Sequence, residues 1–375
     1  MYVQLFTFIV ILVTIYRLII VVRNKRDGSM ILFVGALIFA GFVVNDVLHN
    51  WGIIRTGFYT PIGLLLFLFS QAVLLSMRLS KAFTNVEVLS QNLLITNKGY
   101  SRFVPRDFLV QLGYEDITQV RLGDQVQRDM TILFADIRSF TSLSENMTPE
   151  ENFKFLNSYL RQMGPIIERH NGFIDKYIGD AIMALFSIVG NNGLDAAIAM
   201  IEELSLYNQR RITQGFVPIK IGIGLHTGRI ILGTIGFEDR MDGTVISDSV
   251  NLASRLEGLT KYYGVNIIIS DALLLTLSDQ SKYDFRRLDY VVVKGKSKPV
   301  LIYEILNGLA DTTKQARLKT KDRFENAVDL YIKKEYEQAA LQFRNIMNED
   351  PTDSVAELYL QHCQQLGNFN IAAQS

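Results

Sequence analysis

The chain has 375 residues, 38 basic and 38 acidic, a formal net charge of zero and 49% apolar residues. That is enough length for two or three domains, and the charge balance excludes the global positive field of a nucleic-acid partner, so any anion must be held by local basic groups. The single cysteine, Cys363, excludes an internal disulfide and any paired-cysteine metal or redox motif, and suits a reducing compartment for the soluble part.

Three apolar runs open the chain, at 2–22, 30–47 and 56–77, each about 18 to 22 residues, the length a helix needs to cross about 30 Å of hydrocarbon. They predict a membrane domain over 1–78 with three transmembrane helices. The first run does not read as a cleaved signal peptide: it starts without a basic segment, carries Arg17 and lacks a small-residue cleavage site. The loop Arg23-Asn-Lys25-Arg26-Asp27 is basic, the loop at 51–59 carries only Arg55, and Arg78 and Lys81 follow the third run. The positive-inside rule then places the N-terminus outside and everything after Arg78 in the cytoplasm. Asp46 and His49 fall at interfacial positions near the outer end of the second span.

From Leu79, apolar or small residues recur at Ala82, Val86, Leu89 and Leu93. This 3-4 spacing predicts a helix, either a short parallel coiled-coil seam joining two copies or a helix lying on its own cytoplasmic domain. Residues 79–127 thus read as a signalling helix and a linker, interrupted at Phe103-Val-Pro105. Over 128–306 the pattern predicts a strand at 129–136, a helix at 149–170 opened by Thr148-Pro149-Glu150-Glu151, and a hairpin at 173–186. A helix at 193–210, two strands at 217–226 and 229–236, a helix at 248–263 and strands near 265–269, 284–294 and 299–306 complete it. Strand, helix, strand, strand, helix, strand is the ferredoxin-like order of an α+β domain, in which the first strand lies beside the following hairpin.

The polar stretch 307–320 reads as a linker. Residues 321–375, with Ala327, Tyr331, Tyr336, Ala339, Phe343 and Pro351, have the spacing of a tetratricopeptide repeat. One such α-hairpin and part of a second cannot bury a solenoid core alone, so the segment is expected to pack on the catalytic domain or on a protein partner.

Asp136 ends the strand-like run Thr131-Ile-Leu-Phe-Ala-Asp136, and Asp180 lies in the glycine turn Tyr177-Ile-Gly-Asp180 between two strands. A carboxylate where a buried strand should end in something apolar, with a second in the neighbouring turn, presents hard oxygen ligands to Mg²⁺ or Mn²⁺. The plain alternative is that one or both only cap a turn. Asn251 and Arg255 stand four apart on one helix face, so both can reach one ligand.

The string Phe134-Ala-Asp136-Ile-Arg138-Ser-Phe140-Thr141, then Gly179-Asp180, resembles the class III nucleotidyl cyclase family. The resemblance continues through Gly222-Ile-Gly224-Leu-His226-Thr227-Gly228-Arg229 and Val250-Asn251-Leu252-Ala253-Ser254-Arg255-Leu256-Glu257 to Val293-Lys294-Gly295-Lys296. These motifs stand in family order over 128–306. The resemblance implies two Mg²⁺ or Mn²⁺ ions per site on Asp136, Asp180 and the backbone carbonyl of Ile137. It implies Asn251 on the ribose and Arg255 on the pentavalent phosphate, Arg229 on the terminal phosphates, and Lys294 or Lys296, with Lys294 favoured, as its helper. Lys176 and Thr244 fall where the family places its purine-reading pair. A lysine and a hydroxyl suit adenine, whereas a guanine reader needs an acidic acceptor in the lysine's place, so ATP is the expected substrate. Ser247 departs from the family, which usually has glycine there.

The same resemblance implies a homodimer with shared sites, the metal aspartates from one chain and Lys176, Thr244, Asn251 and Arg255 from the other. The setting is the cytoplasmic face of a bacterial inner membrane. A diguanylate cyclase is excluded because Ile178-Gly-Asp-Ala181 occupies the hairpin where its Gly-Gly-(Asp/Glu)-Glu-Phe turn belongs. Lys176 argues against a guanylate cyclase. A catalytically silent membrane scaffold signalling through its C-terminal segment is disfavoured because no metal or transition-state residue is missing.

Overall fold

The structure, a computed structural model, describes the chain except for residues 1–8, 11, 15, 18, 21–22, 24–27, 101–102, 188–190, 292–298 and 373–375, with backbone alone over 368–372. It divides into two compact units, one up to residue 102 and one from 103 onwards. The first predicted span falls largely outside the described residues.

In the first unit, helices α1 (Ser29–Asn50) and α2 (Thr60–Tyr100) are each long and apolar enough to cross a membrane. They pack closely where side chains are small: a Cβ on Gly35 would meet Ser70, and one on Gly63 would meet Phe42. Phe39 and Phe67 stack with their centroids 5.8 Å apart. The Asp46 carboxylate accepts from the backbone N–H groups of Tyr59 and Thr60, each at 2.8 Å. It thereby satisfies donors that the start of α2 would otherwise leave orphaned. The third predicted span and the 79–93 seam are a single helix of 41 residues, about 60 Å long, with Val86, Leu89 and Leu93 exposed along it.

The second unit opens with α3 (Arg106–Leu112), β1 (Gln125–Ile137), α4 (Phe140–Ser144) and α5 (Pro149–Arg169). Strands β2 (Gly172–Ile178) and β3 (Ala181–Phe186), then α6 (Asn191–Thr213), β4 (Ile221–Phe237), β5 (Arg240–Ile246) and α7 (Asp248–Tyr263) follow. The sheet ends with β6 (Ile267–Ser270), the single turn α8 (Asp271–Leu274), β7 (Phe285–Val291) and β8 (Val300–Ile305). Strand order is β2-β3-β1-β4-β6-β8-β7, with β5 paired to β4. The β2-β3-β1-β4 half is antiparallel throughout, so β1 lies beside the hairpin and beside β4 at once.

Alternation of side chains along the strands builds two cores. Leu133, Ala135, Ile182 and Ala184 bury against α5 and α6. Met130, Ile132, Phe134, Met183 and Leu185 bury on the other face, with Phe108 of α3 and Ala253 of α7. The Thr148-Glu151 signal forms a reciprocal capping box at the start of α5.

Two expectations are corrected here. The strands expected at 217–226 and 229–236 are one continuous strand, β4, and its hairpin partner β5 had no counterpart in the sequence reading. His226, Thr227 and Gly228 make no turn; they pair with Ile132, Thr131 and Met130 of β1. The glycines serve close packing of α7: a Cβ on Gly224 would lie 2.1 Å from Glu257 N, and one on Gly228 would lie 2.4 Å from Ser249 Oγ.

The linker expected at 307–320 is mostly helix. Helices α9 (Asp311–Ile332), α10 (Tyr336–Glu349) and α11 (Ser354–Ala372) close the chain. Phe324, Phe343 and Tyr359 from these helices share a core with Leu256, Ile268, Leu288 and Ile302, so the C-terminal helices are a layer of the catalytic unit. Arg286 of β7, 0% exposed, donates to Glu304 at 2.7 Å and to Asp353 at 2.6 and 2.9 Å. Arg317 of α9 pairs with Asp350 and lies 3.2 Å from Asp353. The start of α9 is polar and largely exposed, and it is anchored because Arg317, itself buried, enters this network.

Candidate active site

Register places the acidic pair. Asp136 pairs with Gly222 of β4, and one residue before it Ala135 pairs with Ile182 of β3. Asp180 sits in the two-residue turn ahead of β3, after Gly179, whose φ of 64° lies in the left-handed region that favours glycine. The two carboxyls therefore meet at one edge of the sheet, both half-buried.

Burial, then the facing Asp180 carboxyl and more distantly Glu257, push the Asp136 carboxyl up to about 7. Asp180 Oδ2 is buried and accepts no hydrogen bond. Two acids crowded together, one oxygen without a donor, are a set that a divalent cation satisfies and a proton only half satisfies. Among the described residues no three acidic, histidine or cysteine side chains gather around one point. The residues here that could hold a hard cation are the two carboxylates, with the Ile137 carbonyl a further candidate; Mg²⁺ keeps its other positions for water and phosphate.

Two residues of this end had no assigned role in the sequence reading. Glu257 of α7 is pushed up to about 7 by burial, against the pull of Arg138 and with repulsion from Asp180. Arg138 donates to the Thr260 carbonyl at 2.8 Å and to that of Val265, fastening a cation to the C-terminal end of α7. Their sequence signal is the pair Gly222 and Gly224, the bed on which Glu257 lies.

Helix α7 turns Leu252, Ala253 and Leu256 inward and leaves Asn251 and Arg255 exposed on its outer face. The departure at Ser247 is its N-cap: the hydroxyl accepts from Ser249 N–H at 3.0 Å and donates to the Arg229 carbonyl at 2.6 Å. Arg229 and Asn251 line one cleft of about 520 Å³ with Ser247 and Asp248. Neither Asp136 nor Asp180, nor Lys176, Thr244 or Arg255, lines it. Arg229 is exposed and faces Asp129 across the strands at 3.5 Å. It stands seven residues along β4 from Gly222, about 23 Å of strand. Thr244, on β5, pairs with Gly233 of β4. Lys176 lies on β2, its ammonium 3.4 Å from Asp175. Lys294 and Lys296 fall outside the described residues.

Residues 123–307 match the family of adenylate and guanylate cyclase catalytic domains. The chain is 48% identical over 217 residues to an adenylate cyclase of Anabaena cylindrica, covering 56% of this chain and 43% of that protein. It is 36% identical over 271 residues to the terminal-differentiation-specific adenylate cyclase of Dictyostelium discoideum, covering 71% of this chain and 13% of that one. The solved structure of a bacterial light-regulated adenylyl cyclase shares the fold, at 24% identity and a TM-score of 0.53, over 63% of this chain and 69% of that one. The chain spans less than half the length of either curated relative. The matched span defines residues 123–307 as a nucleotidyl cyclase catalytic domain. This domain belongs to the class III nucleotidyl cyclase family.

Proposed function

We propose that the protein is a membrane-anchored adenylate cyclase, converting ATP to 3′,5′-cyclic AMP and pyrophosphate in a homodimer. The observation that carries this reading is the Asp136–Asp180 pair at the sheet edge, together with Asn251 and Arg255 standing exposed on α7. The 48% identity to an adenylate cyclase supports ATP as substrate. Helices α1 and α2 support the membrane anchor, in the inner membrane of a bacterium.

Asp136, Asp180 and the Ile137 carbonyl would hold Mg²⁺ or Mn²⁺, two ions per site. When bound, these ions acidify the ribose 3′-hydroxyl and neutralise charge on the leaving pyrophosphate. Lys176 and Thr244 hold the adenine edge, and the Asn251 amide fixes the ribose so that its 3′-oxygen lies in line with the α-phosphorus. Attack forms the new phosphorus–oxygen bond, the hydroxyl proton leaves, and the bond to pyrophosphate breaks. The Arg255 guanidinium stabilises the negative charge that builds on the pentavalent phosphate, and Arg229 with Lys294 grips the terminal phosphates. Asn251 and Arg255 act on the nucleotide held by the aspartates of the other copy, which is why a surface position serves them.

The test is turnover by the purified full chain with Mn²⁺ and either ATP or GTP. Cyclic AMP from ATP, with GTP converted far more slowly, is expected. No cyclic AMP, or equal turnover of both purines, overturns the reading.

A further inference from the structure

Strand β2 changes register against β3 between Ile174 and Lys176. Before the shift Phe173 pairs with Leu185 and Ile174 with Ala184; after it Lys176 pairs with Met183 and Tyr177 with Ile182. Asp175 is the extra residue, so this is a β-bulge. Its consequence is which face Lys176 occupies. Met183 buries with Phe134, whereas Ile182 buries with Ala135 against α5 and α6. Unbulged, Lys176 would pair with Ile182 and point into that helical core. The extra residue carries it to the face of Met183 and Phe134, the face that Asp136, two residues beyond Phe134, also occupies.

The bulge residue itself is chemically unusual. The Asp175 side chain is 3% exposed, its Oδ2 accepts no hydrogen bond, and the Lys176 ammonium 3.4 Å away supplies the countercharge. A carboxylate so placed is expensive to bury without a cation beside it, so holding Asp175 inside and holding Lys176 beside it are one requirement. Lys176 keeps 40% of its side chain exposed and can still donate outward.

We propose that Asp175 is a positioning residue for base recognition: through the bulge and the ion pair it fixes Lys176 on the site face and so sets the preference for adenine. This rests on the reading of Lys176 as the purine reader. It predicts that Asp175 acts only through Lys176, which a fold-stabilising aspartate would not do.

The experiment is a double-mutant cycle on the full chain with Mn²⁺, measuring kcat and KM for ATP and GTP in wild type, Asp175→Asn, Lys176→Ala and the double variant. Asp175→Asn is expected to raise KM for ATP about tenfold with kcat within about threefold, and to compress the ATP-to-GTP ratio of kcat/KM about tenfold. In the Lys176→Ala background the same change should move neither quantity more than about twofold. Asp175→Ala, run in parallel, should behave like Asp175→Asn. Equal effects of Asp175→Asn with and without Lys176, or a fall in kcat at unchanged KM and unchanged purine ratio, would overturn the proposal and leave the cyclase reading intact. A Lys176→Ala variant that keeps its full preference for ATP would instead remove Lys176 as purine reader, and the proposal with it.

Discussion

The Ser247 hydroxyl donates to the carbonyl oxygen of Arg229 at 2.6 Å while capping α7, so the strand that carries Arg229 and the helix that carries Asn251 are tied there, with Ser249 Oγ donating to the same carbonyl at 3.3 Å. Ser247→Ala removes the cap and its own bond to Arg229, leaving that of Ser249, and should lower stability by about 1 kcal/mol, whereas Ser247→Gly, the usual family residue, should lose only a few tenths. Thermal unfolding of the three forms checks this; equal losses for alanine and glycine would show that the cap is not what the serine contributes.

The acidic pair predicts a pH dependence. The Asp136 pKa rises from 3.8 to about 7 on folding, through burial first and Asp180 second, and Glu257 rises in the same direction. Between those values the folded chain holds protons that the unfolded chain releases, so metal-free stability falls as pH rises from about 4 through about 7. The melting temperature without divalent cations should be lower at pH 8 than at pH 5.5, and Mn²⁺ should raise it more at pH 8. Asp136→Asn should flatten its share of that slope and abolish the Mn²⁺ effect. A cation-induced shift independent of both pH and Asp136 would contradict this account.

Shared sites predict complementation. Asp136→Ala and Asn251→Ala should each lower activity at least a hundredfold when assayed alone, since each removes a group needed at every site. Co-expressed, the two variants should regain about a quarter of wild-type activity, because half of randomly paired dimers carry one site with neither lesion. Assay of the co-purified mixture decides the point, and continued silence would place both residues in the same copy's site.

Arg286 is fully buried between Glu304 and Asp353. Arg286→Ala leaves Glu304 buried without its cation and Asp353 with Arg317 alone, and should destabilise the catalytic unit by about 3 to 5 kcal/mol. Denaturant unfolding measures it. A change below about 1 kcal/mol would mean that water reaches those carboxylates.

Much of the α/β half was legible because its signals are local. A continuous apolar run ending at Asp136 marks β1, Thr148 and Glu151 mark the start of α5, and the spacing from Asp248 to Tyr263 marks α7. Strand β5 was not, since Arg240-Met-Asp-Gly-Thr244 has no alternation of its own and exists by pairing with β4. The bulge at Asp175 was invisible for a related reason: it is a relation between two strands, and neither shows it alone. The helix beginning at Asp311 hid behind polar composition because its anchor is an ion network whose other members lie near 286, 304 and 350.

That network also decides what the tail can be. Undocking α9 to α11 would strip Arg286 of Asp353 and open the aromatic cluster of Phe324, Phe343 and Tyr359 to water. A detachable brake needs a cheap exit, and this segment has none. Any protein that listens to the cyclase through its C-terminus must read the outward surface of the three helices while their inward surface stays sealed.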